Sequence, residues 1–302
     1  MTSQTRLLDN GFVILKHSHP LPISSSFPYR LGLPAWAFPG WRNVYFDAEP
    51  SVLNSYASVF NAVEGNTTFY HIPSHSNVAS WLEALQGTDC KISFKLPSAV
   101  THQRHPDERI LIQFLETIYP LRDHLGPFLL QFPQWVGMEF FRRFIQGLDR
   151  VADMGTAVVE VRNPELFSHP EHLEPMLNHY GFGRAVLDCQ SLYQGDLSHP
   201  EVVAAVHEKP DLPVLPKVYN DKAFVRLMLH PDGHNEIWIE RWATQTAQWI
   251  AEGIEPIIMI HCPNNFHCPL FAEQFHVSLQ QKVSFRLVSL PAWPIPQQGS
   301  LI

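Results

Sequence analysis

Short apolar runs alternate with stretches of helical periodicity along most of the chain. Tyr29 to Leu33, Asn61 to Glu64, Lys91 to Leu96, Pro127 to Phe132, Ala157 to Val161, Arg184 to Leu187, Ala223 to Leu229 and Pro256 to Ile260 are each brief and mostly apolar, as strands buried on both faces are. Between them, apolar positions recur at three- and four-residue spacing over Ser51 to Phe60, Ser76 to Leu85, Glu108 to Tyr119, Glu139 to Leu148, Glu171 to Tyr180, Trp238 to Ala251 and Leu270 to Leu279. Parallel strands need crossover connections, so this alternation predicts the α/β class and a TIM-like (β/α)8 barrel in a single domain, residues 29–282. An open doubly wound sheet is the competing architecture, but no Gly-x-Gly-x-x-Gly turn follows the first strand. Residues 1–28 carry Ser24-Ser25-Ser26 and several prolines and read as an N-terminal extension. Residues 283–302 read as an extended C-terminal tail, because their prolines can neither continue a helix nor join a central strand.

A barrel changes the meaning of the polar residues that end its strands, since the loops at the strands' carboxyl ends converge on one mouth. The stretch Asn61-Ala62-Val63-Glu64-Gly65-Asn66 ends an apolar run in a carboxylate and an amide. A charge in that position must find a partner, accept hydrogen bonds or change its pKa. Glycine at position 65 is expected to turn the backbone so that Glu64 and Asn66 face one cavity. The same rule collects Lys95, Gln131, Glu160, Arg162, Asp188, Arg226 and His261, with His102 in the loop after the third strand and Tyr70 at the rim. Glu64, Glu160, Asp188 and Lys95 are the candidate catalytic groups, with Asn66, Tyr70, His102, Gln131, Arg162 and Arg226 as substrate-binding residues. Structural ion pairs, Lys95 with Glu64 or Arg162 with Asp188, are the competing explanation for any single residue. For the whole set it weakens, because burying this many ionisable groups is costly.

Two chemistries fit these residue types. Glu64, Glu160, Asp188 and His261 can make a mostly oxygen shell for a divalent metal. Alternatively the carboxylates act as general acid and base while Lys95, Arg162 and Arg226 hold a phosphate or carboxylate. Mixed signs favour the anionic ligand. Trp36, Phe38, Trp41, Phe69 and Tyr70 can stack a sugar or base, or simply pack under loops.

Composition narrows the partners. A chain of 302 residues with a formal net charge of −8 is large enough for one such barrel and unsuited to broad adhesion to nucleic acid or anionic lipid, so any nucleic-acid contact has to be focused. No apolar run reaches membrane-spanning length and residues 1–16 lack the order of a secretory signal, so the expectation is a cytoplasmic protein without membrane contact. Cys90, Cys189, Cys262 and Cys268 are too scattered for a disulfide framework, and the five-residue gap between the last two suits zinc poorly.

Val63-Glu64-Gly65-Asn66-Thr67-Thr68-Phe69-Tyr70, Thr101-His102, Leu130-Gln131-Phe132-Pro133, Val159-Glu160-Val161-Arg162 and Phe224-Val225-Arg226 resemble, in order, the successive blocks of the YecE-like proteins, domain-of-unknown-function family 72. The resemblance covers roughly Tyr29 to Leu279. It implies a TIM-like barrel in a bacterial-type cytoplasmic protein and leaves the reaction open. After Arg226 the family's His-Gly step is replaced by Leu227-Met228-Leu229 before His230-Pro231, and His261-Cys262-Pro263 precedes Asn264-Asn265 where an aromatic residue is common.

The expected function is an enzyme, a hydrolase or lyase acting on a phosphorylated or other anionic substrate, with a divalent metal as optional cofactor. The alternative is a non-catalytic module binding nucleic acid or a nucleotide. For that module the final residues, Gln298, Ser300, Leu301 and Ile302, offer a route of recruitment: they resemble the Gln-x-Ser-Leu-Phe type of peptide that docks on the bacterial sliding clamp, with Ile302 replacing the final aromatic, while a tail that packs on its own barrel is the competing reading of so short a motif.

Overall fold

The computed structural model describes residues 6–7, 13–14, 28–46, 51–145, 148–284 and 290. Its strands are β1 (Arg30–Leu33), β2 (Ala62–Gly65), β3 (Lys91–Phe94), β4 (Phe128–Gln131), β5 (Ala157–Glu160), β6 (Gly183–Asp188), β7 (Lys222–Met228) and β8 (Glu255–His261). They form one 8-stranded parallel sheet in the order β3-β2-β1-β8-β7-β6-β5-β4. β3 and β4, at the two ends of that order, meet through single bridges, Ile92 with Leu125 and Lys95 with Leu129. Across this seam the Gly126 N–H donates to the Ile92 carbonyl (2.9 Å) and the Leu96 N–H to the Leu129 carbonyl (3.1 Å). The sheet thereby closes into the expected barrel.

The two-residue period of each strand sorts its side chains. Val63, Leu130, Val159, Val186, Val225 and Ile258 point outward and join the main core under the helices. Ala62, Leu129, Val158, Ala185, Phe224, Ile257 and Met259 fill the barrel's interior with Tyr219. This packing explains two glycines. A Cβ at Gly32 would lie 2.4 Å from the Ala62 carbonyl oxygen, and one at Gly183 would sit 2.0 Å from the ring of Tyr219. Only a residue without a side chain leaves room there.

Helices Val52–Ala57, His75–Leu85, Glu108–Ile118, Met138–Ile145, Pro170–His179, Glu236–Ala251 and Cys268–Gln280 cover the sheet as the periodicity predicts. The long connection from β6 to β7 is rich in proline, with Pro200, Pro210, Pro213 and Pro216, yet it is not irregular throughout. It contains the helix Pro200–Glu208, because Pro200 stands in the first turn, where a missing N–H costs nothing, and the His199 ring accepts from the Glu201 N–H (3.3 Å). Within the N-terminal extension, Arg6–Leu7 and Val13–Ile14 pair as two short antiparallel strands. Gln298, Ser300, Leu301 and Ile302 lie outside the described residues. No described helix is long and apolar enough to cross a membrane.

Candidate functional site

Above the apolar interior layer, the next inward positions of β2, β5, β7 and β8 are Glu64, Glu160, Arg226 and His261. All are buried: Glu64 is 0% exposed, Glu160 1%, His261 5% and Arg226 7%. Arg226 organises the group. Its Nε donates to Glu64 Oε1 (2.7 Å) and its Nη2 to Glu64 Oε2 (3.0 Å), a two-pronged contact across the barrel. Its Nη1 donates to Glu160 Oε2. Arg162 takes the other oxygen of Glu160 through Nε (2.8 Å) and uses Nη1 on the Glu208 carbonyl (2.8 Å) at the end of the Pro200–Glu208 helix. His261 Nε2 lies 3.0 Å from Glu64 Oε1, and Asn66 Nδ2 donates to Glu64 Oε2 (3.1 Å) and to the Pro34 carbonyl (2.8 Å).

This network fixes charge. Burial alone would raise both glutamates, but Arg226 with His261 holds Glu64 far below the ordinary carboxylate range, and Arg226 with Arg162 lowers Glu160 to about 2. Burial favours loss of the Arg226 proton, yet the two carboxylates raise its pKa. For His261 burial outweighs Glu64, so its pKa falls. Glu64, Glu160, Arg226 and Arg162 therefore form an internally neutral set of two anions and two cations.

Lys95 stands apart from that pairing. Its backbone is pinned: its N–H donates to the Gly65 carbonyl (3.2 Å), and its own carbonyl accepts from the Thr68 hydroxyl (2.7 Å). Its ammonium lies 3.7 Å from the centroid of the Phe69 ring and makes no hydrogen bond or ion pair among the described residues. Burial and the neighbouring Arg226 lower its pKa to about 7. His102 packs edge-on against the same ring, with 4.8 Å between centroids, and its Nδ1 lies 2.8 Å from the Thr101 hydroxyl. Burial and Lys95 push His102 down to about 4, which leaves it neutral. Gln131 is in register with Glu160 on the adjacent strand and shares its face. Tyr70, 72% exposed, forms the outer rim against Phe69.

Several expectations need correction. Asp188 does not reach the mouth. Ala185 faces inward and Val186 outward, so Asp188 faces outward too, where it accepts from Trp242 Nε1 (2.7 Å), Arg241 Nη2 (2.8 Å) and the Gln190 N–H (2.9 Å). It anchors the Glu236–Ala251 helix. The pairs Lys95 with Glu64 and Arg162 with Asp188 are not formed; Arg226 and Arg162 take the glutamates instead. Gly65 has φ −89°, open to any residue, and glycine is required because a Cβ would meet the Phe94 ring at 2.3 Å. Trp41 is buried, its indole N–H donating to the Asn265 carbonyl (2.9 Å), and so it packs a loop rather than lining the rim.

The donor set proposed for a metal does not assemble either. Arg226 occupies the space between Glu64 and Glu160, and Asp188 faces the helices, so these carboxylates and His261 do not fit one divalent ion. Among the described residues, the ligand atoms that do lie within 4.8 Å of one another are those of His169, Glu171 and His172, which are exposed.

Lys209 is a mouth residue that the sequence did not single out. It follows the Pro200–Glu208 helix, and burial followed by the charge of Arg226 lowers its pKa. Its ammonium, like that of Lys95, makes no hydrogen bond or ion pair among the described residues. The amines left outside the neutral network are thus those of Lys95 and Lys209, whereas the charge of Arg226 is matched.

A closed parallel barrel carrying a buried ionic network at its carboxyl end is a TIM-type barrel protein. The chain belongs to the family described as protein of unknown function DUF72, which matches residues 30–296. The UPF0759 protein YecE of Escherichia coli (strain K12) is 28% identical over 278 residues, spanning 90% of this chain and 98% of that protein. A crystal structure of a DUF72 family protein from Enterococcus faecalis V583 superposes with a TM-score of 0.59 at 19% identity, covering 84% of this chain and 96% of that one. Another, from Thermotoga maritima MSB8, gives 0.57 at 19% identity, covering 83% and 99%. At that identity these structures speak for the fold.

Proposed function

We propose that this barrel is an enzyme, a lyase or hydrolase, that takes a small phosphorylated or otherwise anionic substrate at the carboxyl ends of its strands. The observation that carries this reading is Lys95: a lysine inside the barrel with no carboxylate or carbonyl partner among the described residues, beside a network that needs no further cation. A purely structural lysine at such depth would be paired. With the four-residue network neutral, an anion entering the mouth meets Lys95, Lys209 and the N–H groups of Arg162 that its partners leave over. Glu160 and Glu64 hold Arg226 and Arg162 in place, Gln131 offers an amide to orient the substrate, and neutral His102 can exchange a proton.

Calorimetric titration with sulfate tests the anion site without adding a titrating ligand. Binding that weakens at least tenfold in Lys95→Met, and again in Lys209→Met, supports the reading. Equal binding by both variants and the parent would overturn it.

A further inference from the structure

The anion site accounts for the charge of Lys95 but not for its setting. A lysine meant only to attract an anion works best protonated and within reach of water. This one is sunk beside Phe69, near two arginines, and its freedom is restricted at the backbone by Thr68 and Gly65. Burial away from water and neighbouring cations are the two environments that leave a lysine amine neutral and nucleophilic at physiological pH, and here they outweigh the face of Phe69, which favours the ammonium. Charged groups acting on Lys95 are Arg226 and Arg162, which favour the neutral amine, and Glu160 and Glu64, which oppose them. His102, across the same ring, is itself neutral.

Resting on the anion-site reading above, we propose that Lys95 is a covalent nucleophile that forms an imine with a carbonyl carbon of the substrate, so that the substrate class is a small aldehyde or ketone bearing a phosphate or carboxylate. The neutral Nζ adds its lone pair to the carbonyl carbon as the C=O π pair moves to oxygen. The nitrogen gives up a proton and the oxygen gains one. Protonation of the resulting hydroxyl lets it depart as water while the nitrogen lone pair forms the C=N bond. One water leaves and nothing is oxidised or reduced. The iminium cation that results lies in the field of Glu160 and Glu64, whose charge already acts on this nitrogen. The substrate's anionic end falls to Lys209 and the free N–H groups of Arg162. An iminium withdraws electrons from the neighbouring carbon, which is the chemistry of a lyase that breaks or makes a bond there.

Reductive trapping tests this. The intact protein is incubated at pH 7 with pyruvate, glyoxylate or dihydroxyacetone phosphate and cyanoborohydride, which delivers hydride to an iminium carbon, and the adduct is located by peptide mass spectrometry. At pH 7 about half of an amine titrating near 7 is neutral, against fewer than one in a thousand for an ordinary lysine, so Lys95 should be modified on the order of a hundredfold or more faster than surface lysines. Lys95→Met should lose that adduct and keep the slow surface labelling. Labelling spread evenly over the lysines, or unchanged total labelling in Lys95→Met, would overturn the imine. So would the absence of a Lys95 adduct with all three probes while sulfate still binds, which spares the anion site. If sulfate binding fails as well, both readings fall together. Because mapping is done on the parent protein, the result does not depend on the variant's folding.

Discussion

Replacing Arg226 by methionine removes the one cation that joins Glu64 to Glu160 and puts an apolar chain of comparable length in its place. Among the described residues, Glu64, 0% exposed, keeps only Asn66 and His261, and Glu160, 1% exposed, keeps only Arg162. Breaking a buried ion pair by removing one partner costs about 3–5 kcal/mol, because the remaining charge is left without compensation. In a domain of this size that corresponds to a melting temperature lower by on the order of 10 °C. The pH dependence identifies the cause. In the parent protein both carboxyl pKa values are lowered by folding, so their contribution is complete above the unfolded value near 4.3 and is lost as pH falls towards about 2. In Arg226→Met, burial is opposed by less positive charge and the carboxyl pKa values rise. The deficit relative to the parent should then be largest at pH 7 and shrink as pH falls through 5, where protonation removes the orphaned charge. Guanidinium unfolding at pH 7 and pH 4.5 measures both points. A variant as stable as the parent at pH 7, or a deficit that does not change with pH, would refute the claim that Arg226 neutralises two buried anions.

Other consequences are open to measurement. Asp188→Asn should cost about 1–3 kcal/mol by weakening the contacts to Trp242 and Arg241 and leave sulfate binding unchanged, as judged by denaturation and calorimetry. Lys95 has a folded pKa lowered to about 7 against about 10.4 unfolded, so its burial penalty is full below pH 7 and is relieved as pH rises towards 10; Lys95→Met should therefore gain most over the parent at pH 6 and least at pH 10 in thermal melts. Gly32→Ala should lose about 1–3 kcal/mol, since the new Cβ meets a backbone oxygen that cannot move aside, and unfolding by urea would report it. Docking of the tail on the sliding clamp requires that an immobilised clamp capture the intact chain and not one lacking residues 298–302, and an intact chain that shows no such capture removes that partner. Mobility shifts of short DNA or RNA at several salt concentrations distinguish the nucleic-acid alternative, which requires a steep salt dependence.

The fold was legible because strands buried on both faces and covered by amphipathic helices leave an unmistakable alternation. Within the site, Glu64, Glu160 and Arg226 were legible because each interrupts an apolar strand with a charge. Their partners were not. Arg226 is separated from Glu64 by 162 residues, and local pattern does not say which of several charges across a barrel will meet. Asp188 shows the limit of reading strand ends without reading parity: a residue at a strand's exit belongs to the mouth only if it shares the face of Ala185, and it lies an odd number of places away. Lys209 was obscured by prolines. They mark a loop in composition, yet Pro200 begins the helix whose end delivers that lysine to the mouth.

The seam between β3 and β4 bears on more than closure. β7 and β8 are joined in register over seven consecutive positions, from Lys222 with Glu255 to Met228 with His261, whereas β3 meets β4 only at single bridges, one of them at Lys95 itself. A join with so few rungs opens at a lower free energy than a full ladder, so the amides of Leu96 and Gly126, which bridge it, should exchange with solvent hydrogen before those of β7 and β8. Lys95 thus stands at a thinly bonded seam flanked by β2 with Glu64 on one side and by β4 and β5 with Glu160 on the other, and Arg226, reaching from β7 to both glutamates, ties together the two sides that the seam joins loosely.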